Sequence, residues 1–177
     1  MPGVTDRIRP PYVVVMGVSG TGKSTVGRLL ADRLGIPFAD ADDLHSPANI
    51  AKMSAGIALT DEDRAPWLAA VGRWLHDRMG EETGGVIACS ALKRSYRDTL
   101  RTAAPGVFFV HLTADREELL ARVTGRRGHY MPVALVDSQL QTLEPLDAAE
   151  RGAVLRTDRA PEVLAAHAAA LLAPNPR

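Results

Sequence analysis

The sequence holds a single cysteine, Cys89, which excludes an internal disulfide and fits a reducing compartment. It also lacks an excess of charge. Lys plus Arg and Asp plus Glu stand at 21 each, so no net field holds the chain on nucleic acid or on an anionic membrane, and neither is expected as a partner. Long apolar runs are missing too. The run from Val13 stops at a glycine-rich loop, and the stretch from Leu164 to Ala173 is broken by His167 and too short for a bilayer, so no membrane or targeting segment is predicted and the expected location is the cytoplasm. With no cysteine pair and histidines scattered at 45, 76, 111, 129 and 167, structural zinc is not expected.

What is present is an ordinary globular composition, 46% apolar and 24% charged over 177 residues, the size of one domain. The whole chain, 1–177, reads as that domain, with disordered termini at about 1–10 and 174–177, where prolines gather. Tyr12 to Met16 is a β-branched run, and Lys23 to Leu34 carries Val26, Leu29, Leu30 and Leu34 on one helical face before Gly35. Further strands are predicted at Ile36–Ala39, Val86–Cys89, Val107–Leu112 and Ala153–Leu155. Helical patterns lie between them, including a small helix after Pro47, one capped by Thr60 with Trp67, Leu68, Val71, Trp74 and Leu75 in a stripe, and a last one from about Pro161 to Leu172. Alternating strands and helices predict an α/β fold with a five-stranded parallel sheet.

Gly17-Val18-Ser19-Gly20-Thr21-Gly22-Lys23-Ser24 satisfies the Walker A pattern, after a buried strand and at the start of a helix, which is the P-loop NTPase arrangement of a three-layer fold. Backbone N–H groups wrap phosphates only where side chains stay clear, as Gly17, Gly20 and Gly22 allow, and the helix N-terminus adds a favourable dipole. Ser19, Thr21 and Thr25 complete the expected ATP contacts, Lys23 reaches the β and γ phosphates, and Ser24 offers a hydroxyl to Mg²⁺. No Asn-Lys-x-Asp segment occurs, so adenine is favoured over guanine. The third strand ends Ile87-Ala88-Cys89-Ser90, without the acidic residue that usually steadies the metal there, so the acids must come from elsewhere.

Asp40 and Asp42 follow the second strand, at the edge of the sheet where a doubly wound fold binds its ligands. A carboxylate there can take the proton of an attacking hydroxyl, and Asp40 is a candidate to steady metal waters. Asp40, Asp42 and Asp43 are also ordinary turn and capping residues, and the pattern alone leaves both readings open. Between the fourth and fifth strands, Gly125 to Met131 interrupts helical patterning with Arg and Gly and marks a candidate lid, about 125–142.

Three further stretches carry a resemblance: Asp40-Ala41-Asp42-Asp43-Leu44-His45 with Asn49-Ile50-Ala51-Lys52-Met53; Leu59 to Leu68; and Cys89 to Asp98, with Arg127-Gly128-His129-Tyr130 and Gln139 to Leu146. In that order, from about Tyr12 to Leu146, they resemble the gluconate kinase family. The resemblance implies a nucleoside-monophosphate-kinase-like fold, use of ATP and Mg²⁺, transfer to the 6-hydroxyl of gluconate, and a homodimer. It places Asp42 nearest the acceptor hydroxyl. Arg64, Lys93, Arg94 and Arg97 are the positive groups that would receive a sugar acid, with His45 and Ser90 suited to its hydroxyls. Arg122, Arg126 and Arg127 would close over the nucleotide, Arg127 as a catalytic group that neutralises charge on the transferring phosphoryl, unless they are solvated surface charges. His129 stands open between a gluconate contact and packing under Tyr130. Ala41 replaces a common glycine and Ala58 a common proline, changes that touch loop geometry and no charge.

Two alternatives remain at this level. A shikimate-kinase-like enzyme would present a similar strand-end acid, but its glycine run after the third strand is replaced here by Ser90-Ala91-Leu92-Lys93. A nucleotide-binding regulatory module without turnover is disfavoured by the intact Lys23, Ser24 and Asp42.

Overall fold

A computed structural model describes residues 9–124 and 133–173. The first strand, β1 (Tyr12–Met16), leads through the glycine-rich loop into α1 (Lys23–Leu34). Then come β2 (Phe38–Asp40), a 3₁₀ turn (Ala41–Leu44), α2 (Pro47–Ser54), α3 (Asp61–Gly80), β3 (Gly85–Ala88) and α4 (Arg94–Ala103). The chain continues with β4 (Phe108–Thr113), α5 (Arg116–Thr124), α6 (Val133–Thr142), β5 (Gly152–Arg156) and α7 (Pro161–Leu172). All strand pairs are parallel and the order is β2-β3-β1-β4-β5, so β1 lies in the middle of the sheet.

Strand alternation divides the core into two layers. Val14, Met16, Ile87 and Phe109 face a cluster closed by Trp67, Val71 and Leu75 of α3 and Leu100 of α4. Val13, Val15, Val86, Val110 and Leu112 face the other side, under Leu30 of α1 and Leu164 and Ala168 of α7. A strand buried on both faces reads as a continuous apolar run, which is why Tyr12 to Met16 was so plain in the sequence.

Strand limits differ from the sequence expectation by one or two residues because neighbouring turns take up the end groups. The Ile36 N–H bonds back to Ala31 O (3.1 Å) in the left-handed cap that Gly35 makes on α1, so β2 begins later, at Phe38, and carries Asp40 inside the sheet opposite Ala88. The Val107 N–H is spent on Ala104 O, and β4 begins at Phe108. The capping expectation for α3 holds: Thr60 Oγ1 accepts the Asp63 N–H while the Asp63 carboxylate accepts the Thr60 N–H, a reciprocal box that fixes where the helix starts.

Of the expected lid, residues 133–142 form α6, whose Leu135 and Val136 are buried, while 125–132 lie outside the described residues with Arg126, Arg127 and His129. The expected disordered termini lie outside them too, apart from Arg9 and Pro10. No helix among the described residues is long and apolar enough to cross a membrane.

Candidate active site

The carboxyl ends of β1, β2 and β3 converge on one cavity of about 340 Å³. Its wall includes Ser19 and Lys23 from the glycine-rich loop, Asp42 and His45 from beyond β2, Arg64 and Trp67 of α3, Ser90 after β3, and Ser138 and Gln139 of α6. This is the edge where parallel sheets bind ligands, because helix N-termini point there and no strand closes it.

Gly17, Gly20 and Gly22 all take positive φ in this loop, and the first and last set its ends. Gly17 adopts φ 144°, and a Cβ there would stand 2.6 Å from Leu112 O, so no other residue fits. Gly22, at φ 85°, turns the chain into α1 in a left-handed conformation that costs a side chain even where space is open. Thr21 is buried and its Oγ1 donates to Val18 O (2.9 Å), so it braces the loop from within and has only its backbone to offer a phosphate. Lys23 Nζ donates to Val18 O at 3.1 Å across the concave side. Ser19 N–H donates to Gln139 Oε1 at 2.7 Å, and Arg122 supports the loop from behind, donating to Gly20 O (3.2 Å) and to Thr157 Oγ1 and O (both 2.9 Å). Thr25 lies exposed on the first turn of α1.

The acidic loop meets this cradle directly. Asp40 caps the 3₁₀ turn by accepting the Asp42 N–H (3.0 Å), and its other oxygen accepts the Ser24 hydroxyl. Asp40 is therefore a capping residue, one of the two readings left open by the sequence, and its carboxylate also accepts from Ser24. Two hard oxygen donors side by side beside a phosphate loop suit a Mg²⁺ whose remaining ligands come from phosphate and water. No group of three or more His, Cys, Asp or Glu able to hold a metal occurs among the described residues. Asp42 faces the cavity. Burial raises its carboxyl pKa from the ordinary 3.8; Lys23 opposes the rise, and Asp40 and Asp43 add to it. The result is a carboxylate more basic than usual next to a lysine.

His45 stacks on Trp67 with ring centroids 4.2 Å apart, and Trp67 Nε1 donates to Ala41 O at 2.6 Å, which ties α3 to the acidic loop. Asn49 Nδ2 donates to Asp63 O (2.9 Å), which can only accept, so the same group is the donor toward His45 Nδ1 at 3.3 Å. The His45 proton is thereby left on Nε2. Burial first and Arg64 second lower the pKa of His45, which favours this neutral, hydrogen-bonding form.

The expected basic residues separate. Arg64 lines the cavity, with Nη1 donating to the Tyr96 hydroxyl at 2.8 Å. Lys93 and Arg94 do not line it: Lys93 pairs with Asp61 (3.1 Å), which also accepts from Tyr96, and Arg94 pairs with Asp147 at the surface. For Arg97 the expectation of a substrate contact is corrected. Its side chain is 0% exposed, held by Glu150 through Nε (2.7 Å) and Nη2 (3.0 Å), and Nη1 donates to Ala91 O (2.9 Å) and Leu92 O (3.2 Å). A guanidinium closed in this way cannot reach a ligand. It instead pins the turn after β3, where Ala91 has φ 43°, and so holds Ser90 and Leu92 against the cavity. Burial raises the Glu150 pKa, but Arg97, the Asp147 N–H and Arg101 together outweigh it and leave Glu150 at about 2.

Comparison with known proteins agrees with this arrangement. A family model for shikimate kinase matches residues 19–168. A gluconokinase from Gluconobacter oxydans is 53% identical over 137 residues, 77% of either chain. The chain belongs to the gluconokinase family. A thermosensitive gluconokinase from Escherichia coli shares 47% identity over 80% of this chain and 75% of its own. A solved gluconokinase from Sinorhizobium meliloti superposes with a TM-score of 0.84 at 47% identity, covering 93% of this chain and 92% of that one. A shikimate kinase from Acinetobacter baumannii, at 17% identity and a TM-score of 0.55, shares the fold. Within the gluconokinase family the chain is thus a P-loop kinase with an α/β, five-stranded parallel core.

Sequence reasoning assigned no role to Glu150, Asn49 or Gln139. Glu150 follows a turn and looks like a surface acid; only the sheet brings it under α4. Gln139 stood within the Gln139 to Leu146 stretch, but a lone amide on a helix carries no sign of what it touches.

Proposed function

We propose that this chain transfers the terminal phosphate of ATP to the 6-hydroxyl of D-gluconate, giving 6-phospho-D-gluconate and ADP. The observation that carries the reading is the shared cavity of Asp42 and Lys23: a base and a phosphate-binding lysine face one space, and relatives 53% and 47% identical to this chain are gluconokinases.

The sugar acid lies in the cavity with its carboxylate toward Arg64, a planar cation suited to that geometry, and its hydroxyls toward His45 Nε2–H and Ser90. Asp42 accepts the proton of the attacking hydroxyl as the new O–P bond forms and the bond to the β–γ bridging oxygen breaks, with ADP leaving. The loop amides and Lys23 take up the charge of the phosphate oxygens, Thr25 borders the α-phosphate, and Arg122 keeps Gly20 in place. Ser24 and Asp40 would hold Mg²⁺, which when bound neutralises phosphate charge. Arg126 and Arg127 are assigned to closure over the nucleotide and Arg127 to the transferring phosphoryl, with His129 beside the acceptor. Lys93 and Arg94 act beyond the wall, drawing the anion toward Arg64. We assign the enzyme to the cytoplasm and to a homodimer.

The test is a coupled ATP assay across gluconate, shikimate, glycerate and related acids. Turnover on gluconate well above the others is expected; equal or faster turnover on shikimate would reassign the acceptor.

A further inference from the structure

Gln139 is the one α6 side chain that both lines the cavity and bonds the phosphate loop. Its Oε1 accepts the Ser19 N–H at 2.7 Å, and Ser19 itself lines the cavity beside Lys23. Ser19 is the third residue of the loop whose amides cradle phosphates, so a protein carboxamide already occupies a donor that a nucleotide phosphate needs. That N–H has one proton to give, and two acceptors compete for it.

We propose that Gln139 is an exchange element that couples the two substrates. A triphosphate takes the Ser19 N–H and releases the Gln139 carboxamide, which then turns to the hydroxyls of the acceptor in the same cavity. The inference rests on reading this cavity as the gluconate site. The half-buried carboxamide has a protein partner in the empty protein and a ligand partner in the ternary complex, but only cavity water when triphosphate is bound alone. The acceptor thus gains a contact that Gln139 can give only after triphosphate has freed it, so acceptor and triphosphate bind with positive coupling, and by linkage the coupling is the same from either side. ADP has no terminal phosphate and leaves the Ser19 bond in place.

Calorimetry of gluconate binding to the full chain, without nucleotide, with ADP and with the non-hydrolysable imido analogue of ATP, measures this directly. In the wild type, gluconate is expected to bind about fivefold or more tightly with the analogue than with ADP. In Gln139→Met, which keeps length and loses the acceptor atom, that ratio is expected to fall to about one, while the analogue alone binds more tightly because nothing must be displaced. Gln139→Glu keeps an acceptor but sets a negative charge against the terminal phosphate, so it is expected to weaken the analogue relative to ADP, opposite in sign to Gln139→Met. A merely structural residue would shift all three states together. A ratio unchanged in Gln139→Met, or both variants moving the analogue in one direction, overturns the exchange alone. Failure of wild-type protein to bind gluconate in every state overturns the functional reading, and this inference with it.

Discussion

Arg64 and Arg97 stand on neighbouring helices, and both fit a sequence reading of an anion-binding arginine, yet they end in opposite settings. Arg64 keeps its guanidinium at the cavity wall, sharing one N–H with Tyr96, and is free to meet a ligand carboxylate. Arg97 is closed in the core with Glu150 and the carbonyls of Ala91 and Leu92. The first is placed to bind and the second to hold the wall that binds. The difference lies in a carboxylate 53 residues further along the chain, which neutralises one arginine and leaves the other to the cavity.

The largest effect is expected at the cavity: Asp42→Asn should lower kcat by about 10³-fold, with an unchanged thermal midpoint, because the carboxylate serves a ligand rather than the core. Its raised pKa also predicts that the acid limb of the wild-type kcat profile falls above the ordinary carboxylate value of 3.8. A profile flat through that region would remove Asp42 as the base.

On the buried side, Arg97→Met should cost about 3–5 kcal/mol in a urea titration, since it leaves Glu150 as a buried charge with only part of its partners. Arg97→Met with Glu150→Leu should recover most of that loss. If the single change is harmless, Arg97 is not the structural group described here.

His111 offers a test of the same core by pH. Both its ring nitrogens are buried without a partner among the described residues, and burial first, then Arg97, lowers its pKa from 6.5 to about 4. The unfolded chain therefore binds more protons between those values, and stability should rise with pH across the window by on the order of 2–3 kcal/mol. His111→Leu should flatten that rise, as followed by thermal midpoints from pH 4 to 6.5. Glu150 acts at lower pH: its contribution is present above the ordinary 4.5 and is lost as pH falls toward about 2.

The smallest effect is expected for Arg64→Lys, which keeps the charge but loses the planar fork. The KM for gluconate should rise about tenfold with kcat little changed, and the Lys93–Asp61 pair beyond it should not compensate.

These two arginines also show what was legible in advance. The phosphate loop was readable because its chemistry is contiguous: strand, glycines, Lys23 and Ser24 follow one another, and each glycine meets a local demand such as the approach of Gly17 to Leu112 O. Asp42 was readable from its place after a strand, Asp40 was expected there and proves to be the last residue of β2 itself, and Thr60 was readable as a cap from its place just before the α3 stripe. Arg97 was not, because on α4 it stands among Arg94 and Arg101 and shares their charge; only β5 and the turn before it bring Glu150 beneath it. Gln139 reaches Ser19 across 120 residues, a distance over which helical spacing conveys nothing. Local hydrogen bonding can be read along the chain, whereas pairing across the sheet edge needs the fold.

The central claim is that the cradle of Lys23 and the Asp42 carboxylate join one nucleotide phosphate to one sugar-acid alcohol. Phosphorus and proton NMR of purified protein with ATP, magnesium and gluconate tests it most directly. The account predicts one new phosphate ester, on the terminal CH₂ of gluconate, for each ADP formed. Intact ATP, or ADP and free phosphate with no ester, would contradict it.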